Sequence, residues 1–345
     1  MAMSSRSTNR IALAVGMLAA TAVIAVLPAA EGPPPGGGPG AGPPGRGADP
    51  DWVAPAGCPA ADPAPTSYVV ASQVESVALL PPPPARSSAQ QQADLEQVLA
   101  AQRAARAAGA TSRAVDDSEM TCARFKDVLG QRLKSPEAAA ALKFISQAAM
   151  NGAVAVGQPK RYWKRPRPYV ASAQVERLAD AVPDAEMARS EYPVDPKCVR
   201  PERPPRDAAE AAKRKADKEK AQKEKDYTSY PSGHATFGVL CAILLADVVP
   251  EKRDELFARG RQYGESRLIV GAHYPSDVAA GQTAGAMAAA LLMQNPQFER
   301  RYFEARTELR TALGFPAKSP DLEPDKDFFK ESNSTGGSAR GTGSP

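Results

Sequence analysis

Apolar residues recur at helical spacing through most of the chain beyond residue 86, and the strict alternation of a half-buried strand is scarce. Residues 87–108 place Leu95, Val98 and Leu99 at helical intervals among Ala, Gln and Arg. Ser135-Pro136-Glu137 opens another helix with proline at its first position, and Leu142, Ile145 and Ala149 share one face of it. Residues 233–248 are nearly all apolar, which predicts a buried central helix. That run is shorter than the roughly 20 residues of a bilayer span. Residues 251–268 form an amphipathic pattern, 276–293 an Ala/Gly-rich one suited to close helix packing, and 296–313 a charged amphipathic one. The expected fold class is all-α, a helical bundle.

The rest of the chain breaks this pattern. Residues 1–30 carry Arg6 and Arg10 ahead of "IALAVGMLAATAVIAVL", a secretory signal or, if uncleaved, an N-terminal membrane anchor. Only this segment approaches the length of a bilayer span. Residues 31–67 are a linker, and its first part, "EGPPPGGGPGAGPPGRGADP", is too poor in apolar side chains to build a core. The globular domain is expected over 68–315, with a polar tail at 316–345. Inside the domain, "RDAAEAAKRKADKEKAQKEKD" (206–226) is charged on every face. It reads as a solvated excursion with no apolar stripe to dock on the bundle; the functional alternative is a lid or an arm for an anionic partner.

Net charge is +4, too small to argue for a nucleic-acid partner, so any basic site must be local. Cys58, Cys122, Cys198 and Cys241 allow up to two disulfides in an exported, periplasmic or secreted protein, and their pairing stays open. Cys241, inside an apolar helix, also reads as a buried free thiol. No C-x-x-C spacing points to zinc, and no metal is expected.

The chain holds two histidines, and both lie in chemically dense surroundings. "KRYWKRPRP" supplies Lys160 and Arg167, "YPSGH" ends on His234, and "SRLIVGAHYPSD" supplies Arg267, His273 and Asp277. Arg267 shares a helical stripe with Leu256, Gly260 and Tyr263, so its guanidinium faces inward and needs an oxyanion-like partner. Ser232 and Gly233 precede a helix, where backbone N–H groups and the dipole favour an anion. His234, in the first turn, is placed to protonate a leaving oxygen. His273 and Asp277 are four apart; on one helical turn the carboxylate holds one imidazole nitrogen and leaves the other as a nucleophile. The sum is a cage for a phosphate-sized oxyanion.

The order K-x6-RP, PSGH, SR-x5-H-x3-D resembles the type 2 phosphatidic acid phosphatase (PAP2) and vanadium haloperoxidase superfamily, over roughly residues 68–312. "VALLPPPP", "SYPSGH" and "GESRLIVGAHYPSDV" are most similar to its bacterial class A non-specific acid phosphatases. The resemblance implies an exported helical bundle that hydrolyses small phosphomonoesters through a phosphohistidine, without a cofactor, and is inhibited by vanadate. Carried over by position, His273 is the nucleophile, Asp277 its orienting partner and His234 the general acid. Lys160, Arg167, Ser232, Gly233 and Arg267 hold the phosphate. Two departures stand out. The charged segment lengthens the stretch between the first two motifs, and Val270-Gly271 stands where the family often has a cysteine before its third-motif histidine, so Cys198 cannot pair there. The alternatives are a vanadium-dependent haloperoxidase and a non-catalytic phosphate- or polyanion-binding protein. A homo-oligomer stays open.

Overall fold

Among the described residues, eight long helices build the domain: α1 (Ala89–Ala107), α2 (Pro136–Ala149), α3 (Ala153–Trp163), α4 (Ala208–Asp226), α5 (Gly233–Val248), α6 (Arg253–Ile269), α7 (Pro275–Met293) and α8 (Pro296–Leu313). The structure is a computed structural model that describes residues 67–178 and 204–318; 74% of these are helical and none lies in a strand. The targeting segment, the Pro/Gly-rich linker, Cys58, Cys198 and the tail from 319 lie outside the described residues.

Helix starts follow local chemistry. Ser88, Asp207, Ser232 and Asn295 each accept a backbone N–H from the first turn of the helix that follows. Proline at the first position opens α2, α7 and α8, where its missing N–H costs nothing. α5 buries eleven of its sixteen residues, as an all-apolar helix must, and packs chiefly against α6 and α7. α2 and α8 pair with each other over the same core, where Phe125, Leu133, Ile145, Leu240, Leu244 and Phe298 are fully enclosed. Residues 136–171 form a run apolar enough by composition to cross a membrane, beside the N-terminal segment picked out from sequence. Half of that apolar window is buried in the bundle, and a 3-10 turn at Met150–Gly152 interrupts it, so its apolar face is core.

Cys241 is not a free thiol. It is bonded to Cys122, 119 residues earlier, and both side chains are fully buried. The bond ties the turn Cys122–Phe125 to the central helix; closing so long a loop contributes about 5 kcal/mol in the chain-entropy account. An apolar environment therefore did not distinguish a thiol from half of a cystine.

Candidate active site

The first functional stretch leaves α3 through Lys164, a left-handed residue at φ 44° whose N–H returns to the Lys160 carbonyl. Pro166 and Pro168 then disfavour helix at the residues before them, and Arg167 is extended at φ −68°, ψ 158°. Arginines two apart on such an extended segment point to the same side. Arg165 donates to Asp277 Oδ1 at 2.6 Å, while Arg167 donates to the Ala272 carbonyl at 3.0 Å and stands 3.4 Å from His273 Nε2. One guanidinium grips the aspartate end of the His–Asp pair and the other its histidine end. The segment is stitched to the loop before α5, through Arg167 N–H to the Asp226 carbonyl (2.8 Å) and Ser229 N–H to the Arg165 carbonyl (3.1 Å).

His273 reaches its place through Gly271, which ends α6 at φ 72°; a Cβ there would also stand 2.4 Å from the Glu176 carbonyl oxygen. Asp277 is the third residue of α7. Its Oδ2 accepts the Tyr274 N–H at 2.9 Å and the Ser229 hydroxyl at 2.6 Å. His273 Nδ1 lies 3.6 Å from the same oxygen, longer than a hydrogen bond, and has no other hydrogen-bond partner. These surroundings assign the imidazole proton to Nδ1, facing the carboxylate, and a lone pair to Nε2, facing Arg167. Burial, then the Arg167 charge, push the His273 pKa down to about 3, so the ring is neutral at any ordinary pH. Burial pulls Asp277 upward, but the His273 imidazole, the Arg165 charge and the Ser229 hydroxyl outweigh it and hold the carboxyl well below its usual range.

α7 approaches the start of α5 closely because Gly281 has no side chain: a Cβ there would sit 2.4 Å from the Ser232 carbonyl oxygen. The approach lets Ser232 N–H donate to the Asp277 carbonyl at 2.9 Å. That N–H, expected from sequence to face an anion, is therefore occupied, and the Ser232 hydroxyl oxygen caps Ala235. At Gly233 an added Cβ would meet nothing within 4 Å, so open space adjoins the helix N-terminus there. His234 follows, with Nε2 2.9 Å from the Ser118 carbonyl. A carbonyl only accepts, so Nε2 carries a proton and Nδ1 is left to serve a ligand. Burial, then the Arg267 charge, hold its pKa well below the ordinary imidazole value.

The cations close the cage. Arg267, 1% exposed, donates to the Asp117 carbonyl at 2.9 Å and the Ser118 hydroxyl at 3.0 Å, while its Nε–H is buried without a partner. Asp117 is itself pinned by a bidentate pair with Arg259 (3.1 and 2.5 Å) and by Ser266 (2.7 Å). Thus residues 117–118 strap Arg267 and His234 to one another. Lys160 donates to the Thr228 and Pro231 carbonyls at 2.6 and 2.7 Å, leaving one of three N–H groups for a ligand.

Burial, then the Arg167 charge, push the Lys160 pKa down to about 7. Deprotonation above that value removes a cation from the cage, so affinity for sulfate, which does not titrate in this range, should fall about tenfold from pH 6 to pH 9. Lys160→Arg should hold the sulfate inhibition constant flat over the same interval. A wild-type constant that does not move would show that Lys160 stays charged or faces away from the anion.

The predicted residues Lys160, Arg167, Ser232, Gly233, His234, Arg267, His273 and Asp277 thus fall in one connected cluster. Arg165, Ser229, Asp94 and the 117–118 strap also belong to it, and the local pattern did not single them out. Asp94 nonetheless continues a buried stripe through Val98, Gln102 and Ala105, a signal that a carboxylate faces inward. Among the described residues no group of three or more His, Cys, Asp or Glu side chains forms a cation site.

Residues 139–301 match the sequence profile of the PAP2 superfamily. A non-specific acid phosphatase of Salmonella typhimurium is 46% identical over 81 residues, which are 24% of this chain and 32% of that protein. One of Providencia stuartii is 40% identical over 80 residues (23% and 32%), and an acid phosphatase of Zymomonas mobilis is 40% identical over 93 residues (27% and 35%). The chain thus spans about a third of the length of the curated relatives it matches.

Proposed function

We propose that this chain, whose residues 139–301 match the PAP2 superfamily, is an acid phosphatase that hydrolyses small phosphomonoesters through a phosphohistidine at His273. The observation that carries the reading is the His273 imidazole set between Asp277 Oδ2 on Nδ1 (3.6 Å) and Arg167 on Nε2 (3.4 Å). A neutral ring with Nε2 unprotonated is the state a nucleophile needs. Attack forms the Nε2–P bond as the ester P–O bond breaks, and the leaving oxygen takes a proton from His234. Arg167, Arg267, Lys160 and the Gly233 N–H receive the phosphoryl oxygens, in the positions where charge accumulates in transfer. Water, with His234 now as base, then cleaves the N–P bond and releases phosphate. His234 must be protonated for the first step; a bound phosphate dianion supplies the opposing charge that raises its pKa again.

The mechanism needs no metal or other cofactor. Export is part of the proposal, supported by the N-terminal apolar run and by a buried disulfide, which suits an oxidising compartment. The test is an assay of the purified chain on aryl and alkyl phosphates, with and without EDTA. Hydrolysis that survives EDTA and is competitively inhibited by vanadate is the expected result. No hydrolysis of any phosphomonoester, or activity lost in EDTA and restored by a divalent ion, would overturn it.

A further inference from the structure

Arg165 does not face the phosphate cage in the way that Arg167 does, yet it is one of the most heavily engaged side chains near it. It is 4% exposed and lies between two carboxylates that are also buried, Asp277 and Asp94. Nη1 donates to Asp277 Oδ1 at 2.6 Å and to the Ser276 hydroxyl at 2.7 Å; Nη2 donates to Asp94 Oδ2 at 2.8 Å and to Gln91 Oε1 at 2.6 Å. The guanidinium carbon also lies 4.1 Å from the centre of the Tyr274 ring, so the plane of the fork is fixed from one side. Ser276 bonds to Asp94 as well, which closes a ring of three side chains, Arg165, Ser276 and Asp94.

We propose that Arg165 is a positioning residue for the nucleophile: it locks the rotation of the Asp277 carboxylate, and Asp94 of α1 anchors Arg165 from behind. This rests on the reading of His273 as nucleophile. The two oxygens of Asp277 have different tasks. Oδ2 faces His273 Nδ1 but also serves the Tyr274 N–H and the Ser229 hydroxyl. Oδ1 belongs to Arg165. If Oδ1 loses its charged partner, only the two donors on Oδ2 still orient the carboxylate, it can swing about that oxygen, and the preference of the imidazole proton for Nδ1 weakens. A protonated Nε2 cannot attack phosphorus. A lysine at 165 would keep the charge but could not span Asp277 and Asp94 with one planar fork.

The experiment uses Arg165→Lys and Asp94→Asn in the full chain; the second variant leaves the His–Asp pair and its arginine chemically intact, so it remains informative if the first folds poorly. Calorimetric titration with sulfate counts competent sites, and turnover is expressed per site. Both variants should keep sulfate affinity within about threefold while turnover per site falls by about 10–100-fold, the usual scale for removing an orienting partner. Nitrogen-15 correlation spectra of the imidazoles supply a readout independent of activity, since the chain has only two histidines to resolve. The wild type should show His273 protonated on Nδ1, and the variants a mixture of tautomers. A site count that falls while turnover per site holds would assign Arg165 a purely structural role and overturn the proposal. So would an unchanged His273 tautomer in both variants. If the wild type hydrolyses no phosphate ester, the functional reading fails by itself, and the tautomer comparison still decides what Arg165 does.

Discussion

Replacing His273 with alanine is expected to lower turnover of an aryl phosphate by about 10⁴-fold or more, the scale on which loss of a nucleophile or its base silences other catalytic triads. The variant should fold. The imidazole is buried, but its one hydrogen-bond-length neighbour is Arg167 Nη1, which keeps the Ala272 carbonyl, and Nδ1 has no partner within hydrogen-bond distance to lose. Asp277 keeps three donors, from Arg165, Ser229 and Tyr274. A second consequence runs in the opposite direction from activity. With its pKa pushed down to about 3, a neutral buried His273 binds fewer protons than the unfolded chain between that value and about 6.5, the ordinary histidine pKa. Its contribution to stability is therefore present above that window and lost as pH falls through it. The alanine variant should lose less thermal stability than the wild type between pH 7 and pH 4. Turnover within about tenfold of wild type, or a phosphorylated intermediate still trapped on the variant, would remove His273 from the nucleophile's role.

What was legible in the sequence divides by the range of the interaction. The His273–Asp277 relation is an i, i+4 contact at a helix start, and Ser232-Gly233-His234 is a helix N-terminus; both are local and could be read directly. The inward stripe of Leu256, Gly260, Tyr263 and Arg267 is buried along its whole length, again because one helix face decides it. Arg165 is different. It sits two residues before Arg167 in a run with four other basic residues, and nothing local separates the arginine that meets Asp277 from those that meet solvent. Its partners are 71 to 112 positions away, as Ser118 is 116 from His234. The pairing of Cys122 with Cys241 was hidden for the same reason, since a covalent contact across 119 residues leaves no mark on either neighbourhood.

Removing the charged segment will have opposite results depending on where the cut ends. Most of α4 is solvated as its composition requires: none of its residues is buried, and its ion pairs run between neighbours such as Arg206, Glu210 and Arg214. Its last turn is another matter. A helix ends with carbonyls that lack intrahelical partners, and a cation there is favourable. In this chain the cation is Arg167: its Nε donates to the Lys225 carbonyl at 3.0 Å and its backbone N–H to the Asp226 carbonyl. Tyr169 adds a bond from its hydroxyl to the Asp226 carboxylate at 2.8 Å, and Thr228 one to the Lys225 carbonyl, also at 2.8 Å. The end of the excursion is thus part of the mount for a cage arginine, which its sequence, charged on every face, did not reveal. Deleting 206–221 and bridging with a Gly/Ser linker should leave turnover of small phosphate esters within about threefold of wild type, because only exposed ion pairs of small worth are lost. Deleting 206–226 takes away two backbone acceptors of Arg167, one of them to the guanidinium itself. At about 1.5–3 kcal/mol for a hydrogen bond to a charged group, kcat/KM should drop about 10–150-fold. Sulfate affinity should fall with it, since the displaced group binds the anion. Equal activity in the two deletions would show that Arg167 is held by the Ala272 carbonyl and Thr228 alone, and that α4 has no part in the site at all.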